Sequence, residues 1–165
     1  MTTTAPMQAQ LTLTQLLEPV LVNEFLAVVV RCLHTTVGVD AVVAAVGTLD
    51  ASAPTIAVAL ELEGDLRGPV TWVFPPAIAL ELVRRLMADP DPSPDTALDG
   101  AAELANILTG RASEVLELNG FRCELGVPRV HVGALPPGLV VHMATPIGQI
   151  DLILSLSQDP PLASR

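Results

Sequence analysis

The sequence of 165 residues contains no lysine and no tyrosine, and all eight of its basic residues are arginine. A Walker-type phosphate-binding loop and a lysine Schiff base each require a lysine, so this chain can form neither. Acidic residues outnumber basic ones by 18 to 8, which gives a formal net charge of −10. A surface of this charge repels nucleic-acid backbones and anionic membranes, so we expect neither as a partner.

Cysteine and aromatic residues are also scarce. Two cysteines, Cys32 and Cys123, make no disulfide framework. With three phenylalanines and one tryptophan among 50% hydrophobic residues, the core must be mainly aliphatic. Unbroken aliphatic runs such as residues 25–30 are far shorter than the roughly 18 residues of a membrane span, and the first ten residues do not resemble a signal peptide. We therefore expect a single cytoplasmic domain.

Hydrophobic periodicity predicts both helices and strands. Helical spacing covers residues 20–36, 77–88 and 96–119, and strand patterns cover 41–49, 55–63, 70–74, 123–133, 140–145 and 149–157. This order predicts an α+β domain, with a mostly antiparallel sheet of about six strands and three helices packed on it. The domain would span residues 20–157, between an N-terminal extension (1–19), in which 11–17 could form a short helix, and a disordered tail (158–165).

The segment 89–95 reads DPDPSPD and at first resembles a calcium-binding loop, because oxygen-bearing side chains recur at every second position. An EF-hand loop also needs glycine at its sixth position and glutamate at its twelfth. Those positions are occupied by Pro94 and Gly100. Alternating proline instead predicts a stiff, extended linker.

The predicted helix 96–119 has an unusual polar stripe opposite its apolar side, formed by Asp99, Glu103, Asn106, Gly110, Ser113 and Glu117. Glu103 and Asn106 are three residues apart, so they are neighbours on the helix surface, about 5–6 Å apart at Cβ. Glycine inside a helix costs roughly 1 kcal/mol relative to alanine, so Gly110 suggests that something approaches the backbone closely there. The spacing alone is more typical of a solvated helix face, because Glu-x-x-Asn occurs widely by chance.

The string D-G-A-A-E-L-A-N-I-L-T-G (residues 99–110) resembles the D-x-x-G-E-L-x-N-I-x-x-G signature of the CheC/CheX family of chemotaxis phosphatases. V-N-E-F-L (22–26), L-x-G-x-x-x-G-x-V (62–70) and L-G-V-P-R-V-H-V-G (125–133) are similar to further family patterns, in family order. The resemblance implies a CheC/CheX-like phosphatase that hydrolyses the aspartyl phosphate of a CheY-like response-regulator receiver. Glu103 would pair with the receiver's active-site lysine, and Asn106 would position the attacking water.

The resemblance also implies how the chain meets its partner. Docking to the phosphorylated receiver would use the neighbouring helix residues Asp99, Ile107, Gly110 and Arg111. The Mg²⁺ of the reaction would belong to the receiver, so this chain would bind no cofactor of its own. A second Glu-x-x-Asn is missing, since Glu24 is followed three residues later by Ala27. This favours the single-site CheX type, for which the family implies a homodimer.

Two departures from the family pattern and several alternatives remain. The glycine that usually precedes the glutamate is Ala102 here, and Arg111 stands where the family commonly has asparagine. The chain could therefore be a catalytically silent receiver-binding or scaffold module, or an unrelated small-ligand domain. A metal site built from the histidines and cysteines fits no usual ligand spacing, and no feature indicates an activated cysteine. These residues we expect to be structural: His34, His131, His142, Cys32 and Cys123.

Overall fold

A computed structural model of the chain describes residues 19–49, 53–131 and 134–158. It contains three helices: α1 (Pro19–Val37), α2 (Pro76–Met87) and α3 (Pro94–Leu118). The strands are β1 (Val42–Gly47), β2 (Ile56–Gly64), β3 (Leu66–Phe74), β4 (Cys123–Leu125), β5 (Arg129–His131), β6 (Leu139–Thr145), β7 (Gly148–Leu154) and β8 (Ser157–Gln158). The suggested short helix at 11–17 lies outside the described residues.

All strand pairs in the sheet are antiparallel. Its main path runs in the order β1-β6-β7-β3-β2-β4, while β5 pairs with β2 and β8 with β3. Helix α3 packs against α1 and α2 and lies over the β2, β4 and β5 side of the sheet. The predicted α+β class, with three helices on an antiparallel sheet, is confirmed.

Two predicted strands are each divided in the structure. The segment 123–133 forms β4 and β5, because the register shifts between them: Leu125 pairs with Leu62, whereas Arg129 pairs with Ala59. The partner strand therefore has one residue fewer over this stretch, as at a β-bulge. Likewise, β7 ends at Leu154 and β8 begins only at Ser157. The prediction of one continuous strand in each segment was wrong.

Helix α3 begins earlier than its hydrophobic pattern predicts. Ser93 is the N-cap, and its Oγ accepts a hydrogen bond from the Thr96 backbone N–H at 3.2 Å. Pro94 follows at the first helical position, where its missing N–H costs nothing. The predicted linker 89–95 is thus wrong at its end, because Pro94 and Asp95 belong to the first turn of α3.

Residues 20–37 of helix α1 are long and apolar enough, by length and composition, to cross a membrane, with a mean hydropathy of 1.5. The unbroken aliphatic runs did not indicate such a stretch, because Asn23, Glu24 and Arg31 interrupt them. Mostly buried core helices of soluble proteins and signal sequences near an N-terminus pass the same test, and 33% of this stretch is buried in the fold. In this fold α1 packs mainly against α3, buries Phe25, Val29 and Leu33 in the core and exposes Glu24 and Arg31, as a packed amphipathic helix does.

Candidate functional site

The polar stripe of α3 lies on the outside of the domain. Asp99 and Glu103 are exposed, and Asn106 and Gly110 are partly exposed. Within the described part of the chain, neither the Glu103 carboxylate nor the Asn106 carboxamide forms a hydrogen bond with another group. Two adjacent polar side chains with unused hydrogen-bonding capacity are available to an external partner.

Helix α3 is fixed to the sheet by a buried polar contact. The Trp72 indole Nε1–H on β3 donates to Thr109 Oγ1 at 2.8 Å, and the Thr109 hydroxyl donates to the Ala105 carbonyl at 2.8 Å. Trp72 and Thr109 are both fully buried. Thr109 faces the sheet, whereas Glu103 and Asn106 lie on the exposed flank of α3. This contact could not be predicted from the sequence pattern, because it joins residues that are 37 positions apart in the chain.

Thr109→Val should destabilise the domain by about 1–3 kcal/mol, because the change keeps the shape but leaves the Trp72 N–H buried without an acceptor. Urea unfolding measures the difference. Thr71→Val is the matched control: Thr71 is equally buried, but its Oγ1 has no partner, so we expect no loss of stability. Equal losses in the two variants would show that the Trp72–Thr109 hydrogen bond is not what stabilises α3.

Two glycines of α3 have different environments. A Cβ added at Gly100 would lie 2.6 Å from Val83 Cγ1 on α2, so glycine is needed for the close approach of the two helices. A Cβ added at Gly110 would meet its nearest atom, Leu125 Cδ2, at 3.9 Å, which is an ordinary contact. Packing within the described chain therefore explains Gly100, which the sequence analysis missed. It does not explain Gly110.

The remaining predicted site residues are spread along the same helix. Arg111 is exposed and lies 3.5 Å from the Glu114 carboxylate, while Ile107 is half-buried and packs against the core. Ser113 is buried and is not part of the exposed polar stripe. Its hydroxyl can be buried because it donates a hydrogen bond to the Gly110 carbonyl at 2.8 Å. Its placement on the polar stripe was wrong.

An open cleft of about 820 Å³ lies where α3 ends, bordered by Glu117, Phe121, Arg122 and Cys123 among others. Burial raises the pKa of the Cys123 thiol, with the nearby carboxylates adding to the effect. A thiol of raised pKa remains protonated at neutral pH and is a poor nucleophile. The cleft therefore offers no activated cysteine.

The three histidines lie apart, each beside its own partner. His34 Nδ1 lies 2.7 Å from Asp40 Oδ1, and His131 Nε2 lies 2.6 Å from the Ala134 carbonyl. His142 pairs with Asp151 at 2.5 Å on the sheet face away from the helices, a largely buried contact that the sequence analysis missed. Over residues 19–49, 53–131 and 134–158, no group of three or more His, Cys, Asp or Glu is arranged to hold a metal ion.

Comparison with known proteins gives a family match and a shared fold. Residues 56–137 match the family model described as chemotaxis phosphatase CheX, a stretch that includes all of α3. No curated protein matches the sequence. A solved structure of CheX from Desulfovibrio desulfuricans superimposes with a TM-score of 0.69 at 15% identity, covering 84% of this chain and 99% of that one.

Two further structures share the fold. CheX from Vibrio vulnificus has a TM-score of 0.65 at 20% identity, covering 83% of this chain and 99% of that one. A chain of the CheX–CheY–BeF3–Mg²⁺ complex from Borrelia burgdorferi has a TM-score of 0.62 at 17% identity, covering 80% of this chain and 96% of that one. At these identities the structures establish the fold.

Proposed function

Since the family match and the shared fold confirm that this chain is CheX-like, as its α3 motif indicated, we propose that it is a phosphatase that accelerates hydrolysis of the aspartyl phosphate on a CheY-like receiver. The observation that carries this proposal is the pair of Glu103 and Asn106 on the exposed side of α3, with no hydrogen-bond partner in the described chain. The complex of the Borrelia CheX with CheY supports a CheY-like partner.

In the proposed mechanism, α3 enters the receiver's active site. Glu103 pairs with the receiver's active-site lysine and holds the two proteins in register; this chain has no lysine of its own that could compete for that carboxylate. Asn106 orients the attacking water, since its carboxamide both donates and accepts hydrogen bonds. The amide is neutral and so does not repel the phosphoryl group. Catalysis of phosphoryl transfer rests largely on such positioning and electrostatics.

The neighbours of this pair complete the proposed docking face. Asp99, Gly110 and Arg111 reach the surface of α3 around Glu103 and Asn106, and Ile107 lies half-buried beside them. The Mg²⁺ of the reaction is held by the receiver, so this chain supplies no metal ligand. Because its substrate is a signalling receiver, we place its site of action in the cytoplasm.

The test is to load a candidate receiver with phosphate and follow the decay of the phosphoryl group, with this protein present at well below one molecule per receiver. A phosphatase accelerates the decay and turns over many receivers. The alternative, a silent receiver-binding or scaffold module with the same fold, predicts binding of the phosphorylated receiver with an unchanged decay rate. The absence of both effects would exclude both functions.

We also propose a homodimer that forms through β1. This edge strand is exposed along its whole length, and Val42 and Val46 are 66% and 60% exposed. Among the described strands it pairs only with β6. An exposed apolar edge strand is a template for pairing with another chain.

Sedimentation of the wild type should therefore give twice the chain mass of 17.2 kDa, and Val46→Lys should give the monomer. A monomeric wild type would contradict the proposal.

A further inference from the structure

Two exposed valines lie on the edge of the sheet next to α3, at the opposite side of the sheet from β1. Val127 lies between β4 and β5 and is 78% exposed, and Val130 lies in β5 and is 43% exposed. We refer to Leu125, Val127 and Val130 as the β4–β5 edge. Exposed apolar side chains that cluster on a soluble domain mark interaction surfaces more often than isolated ones do.

The β4–β5 edge runs alongside the proposed catalytic pair. Leu125 lies beside Gly110, and β4 starts at the same cleft as the end of α3, so this part of the chain runs back towards the start of α3. Asn106 lies one turn of α3 before Gly110, and Val127 and Val130 follow Leu125 in the chain. The β4–β5 edge therefore borders the polar stripe of α3 at Gly110 and continues in the direction of Asn106 and Glu103.

The direction of the Val130 side chain follows from its pairing. Val130 pairs with Val58 of β2, whose side chain is fully buried in the core beneath the helices. Residues directly opposite each other in an antiparallel pair point to the same face of the sheet. Val130 therefore points to the helix side of the sheet, and β5 is close enough to α3 to contact it. Val130 is therefore an exposed apolar residue on the same side of the sheet as α3.

We propose that the receiver engaged by Asn106 also rests on Val127 and Val130, so that the docking surface includes both α3 and the β4–β5 edge. This inference rests on the proposed function. One helix stripe is smaller than the roughly 800 Å² that each partner contributes to a standard interface. Its polar residues also need apolar neighbours that exclude water when the complex forms. The β4–β5 edge meets the stripe at Leu125 and Gly110 and adds exposed apolar surface to it.

The test is a double variant, Val127→Ser with Val130→Thr, assayed by steady-state dephosphorylation of the receiver. Threonine suits a strand as well as valine does, so β5 should be preserved. We expect KM to rise about five- to tenfold while kcat stays within about twofold, because the two valines bind the receiver and do not touch the reacting atoms. Val20→Ser, at a valine 63% exposed at the start of α1, is the matched control and should change neither constant.

The outcomes separate this inference from the function on which it rests. An unchanged KM in the double variant, with an active wild type, overturns the inference and leaves the function standing. If the double variant is a monomer while the wild type is a dimer, and KM is again unchanged, then a second copy of the chain occupies the β4–β5 edge. If the wild type binds the phosphorylated receiver without turnover, the dissociation constant replaces KM as the readout. If the wild type neither binds nor dephosphorylates the receiver, both ideas fail.

Discussion

Asn106→Ala should reduce the acceleration of receiver dephosphorylation by about 100-fold or more, with no loss of stability. The size of the effect follows from removing a group that positions the reacting water, since losses of two to three powers of ten are typical when one such polar group is removed. Stability should not fall, because the carboxamide has no partner within the described chain and alanine is the better helix former. Phosphoryl decay and urea unfolding measure the two quantities.

The controls for Asn106 test the role of the amide itself. Asn106→Asp keeps the size of the side chain but places a negative charge beside the phosphoryl group, so it should be nearly as inactive as the alanine variant. Asn23→Ala removes an exposed asparagine from α1 and should leave the activity unchanged. Glu103→Gln should act mainly on KM, since it removes an ion pair to the receiver. Wild-type decay rates with Asn106→Ala would refute the mechanism.

Gly100→Ala should destabilise the domain by about 2 kcal/mol, even though alanine favours the helix by roughly 1 kcal/mol at an unconstrained position. The added methyl group would lie 2.6 and 2.9 Å from the two Cγ atoms of Val83. Val83 is fully buried and β-branched, so its methyl groups cannot rotate away freely. The helices α2 and α3 must then move apart, and equilibrium unfolding in urea measures the cost.

Two comparisons isolate this contact. Gly110→Ala introduces the same methyl group on the same helix, where the nearest atom is 3.9 Å away, so it should stabilise the domain by about 1 kcal/mol. Val83→Ala should cost less in the Gly100→Ala background than in the wild type, which is a coupling that a double-mutant cycle measures. Equal stability changes at the two glycines would show that the α2–α3 contact does not require Gly100.

The position and outward face of α3 could be predicted from the sequence, because helical periodicity separates apolar from polar residues without reference to the rest of the chain. Ser113 was misplaced, since a hydroxyl that bonds back to the Gly110 carbonyl can be buried at the border of the polar stripe. The roles of Gly100 and Thr109 could not be predicted. Both depend on partners, Val83 and Trp72, that only the tertiary fold brings next to α3.

The strand errors have a similar origin. Alternation of apolar and polar residues predicts that a segment is extended, but not where its pairing is interrupted or shifts in register. The break after β4 is set by the pairing with β2, where Gly126 N–H donates to the Glu61 carbonyl at 2.8 Å before the register shifts. The start of α3 is different, because Ser93 followed by Pro94 is a local start signal. It was overlooked because the alternating Asp and Pro residues around it indicate a linker.

The position of β7 determines the order in which this domain can be completed. This strand follows β1 to β6 in the chain, yet it lies in the interior of the sheet between β6 and β3. Strand β3 cannot pair with β7 until the ribosome has passed residue 154. The apolar side of α1 likewise cannot pack near Leu154 and Leu156 before they are synthesised. Such long-range pairing is slow to form and leaves the nascent chain prone to aggregation. A chain that stops before β7 loses the middle of its sheet, and with it the support beneath Trp72 on which α3 rests.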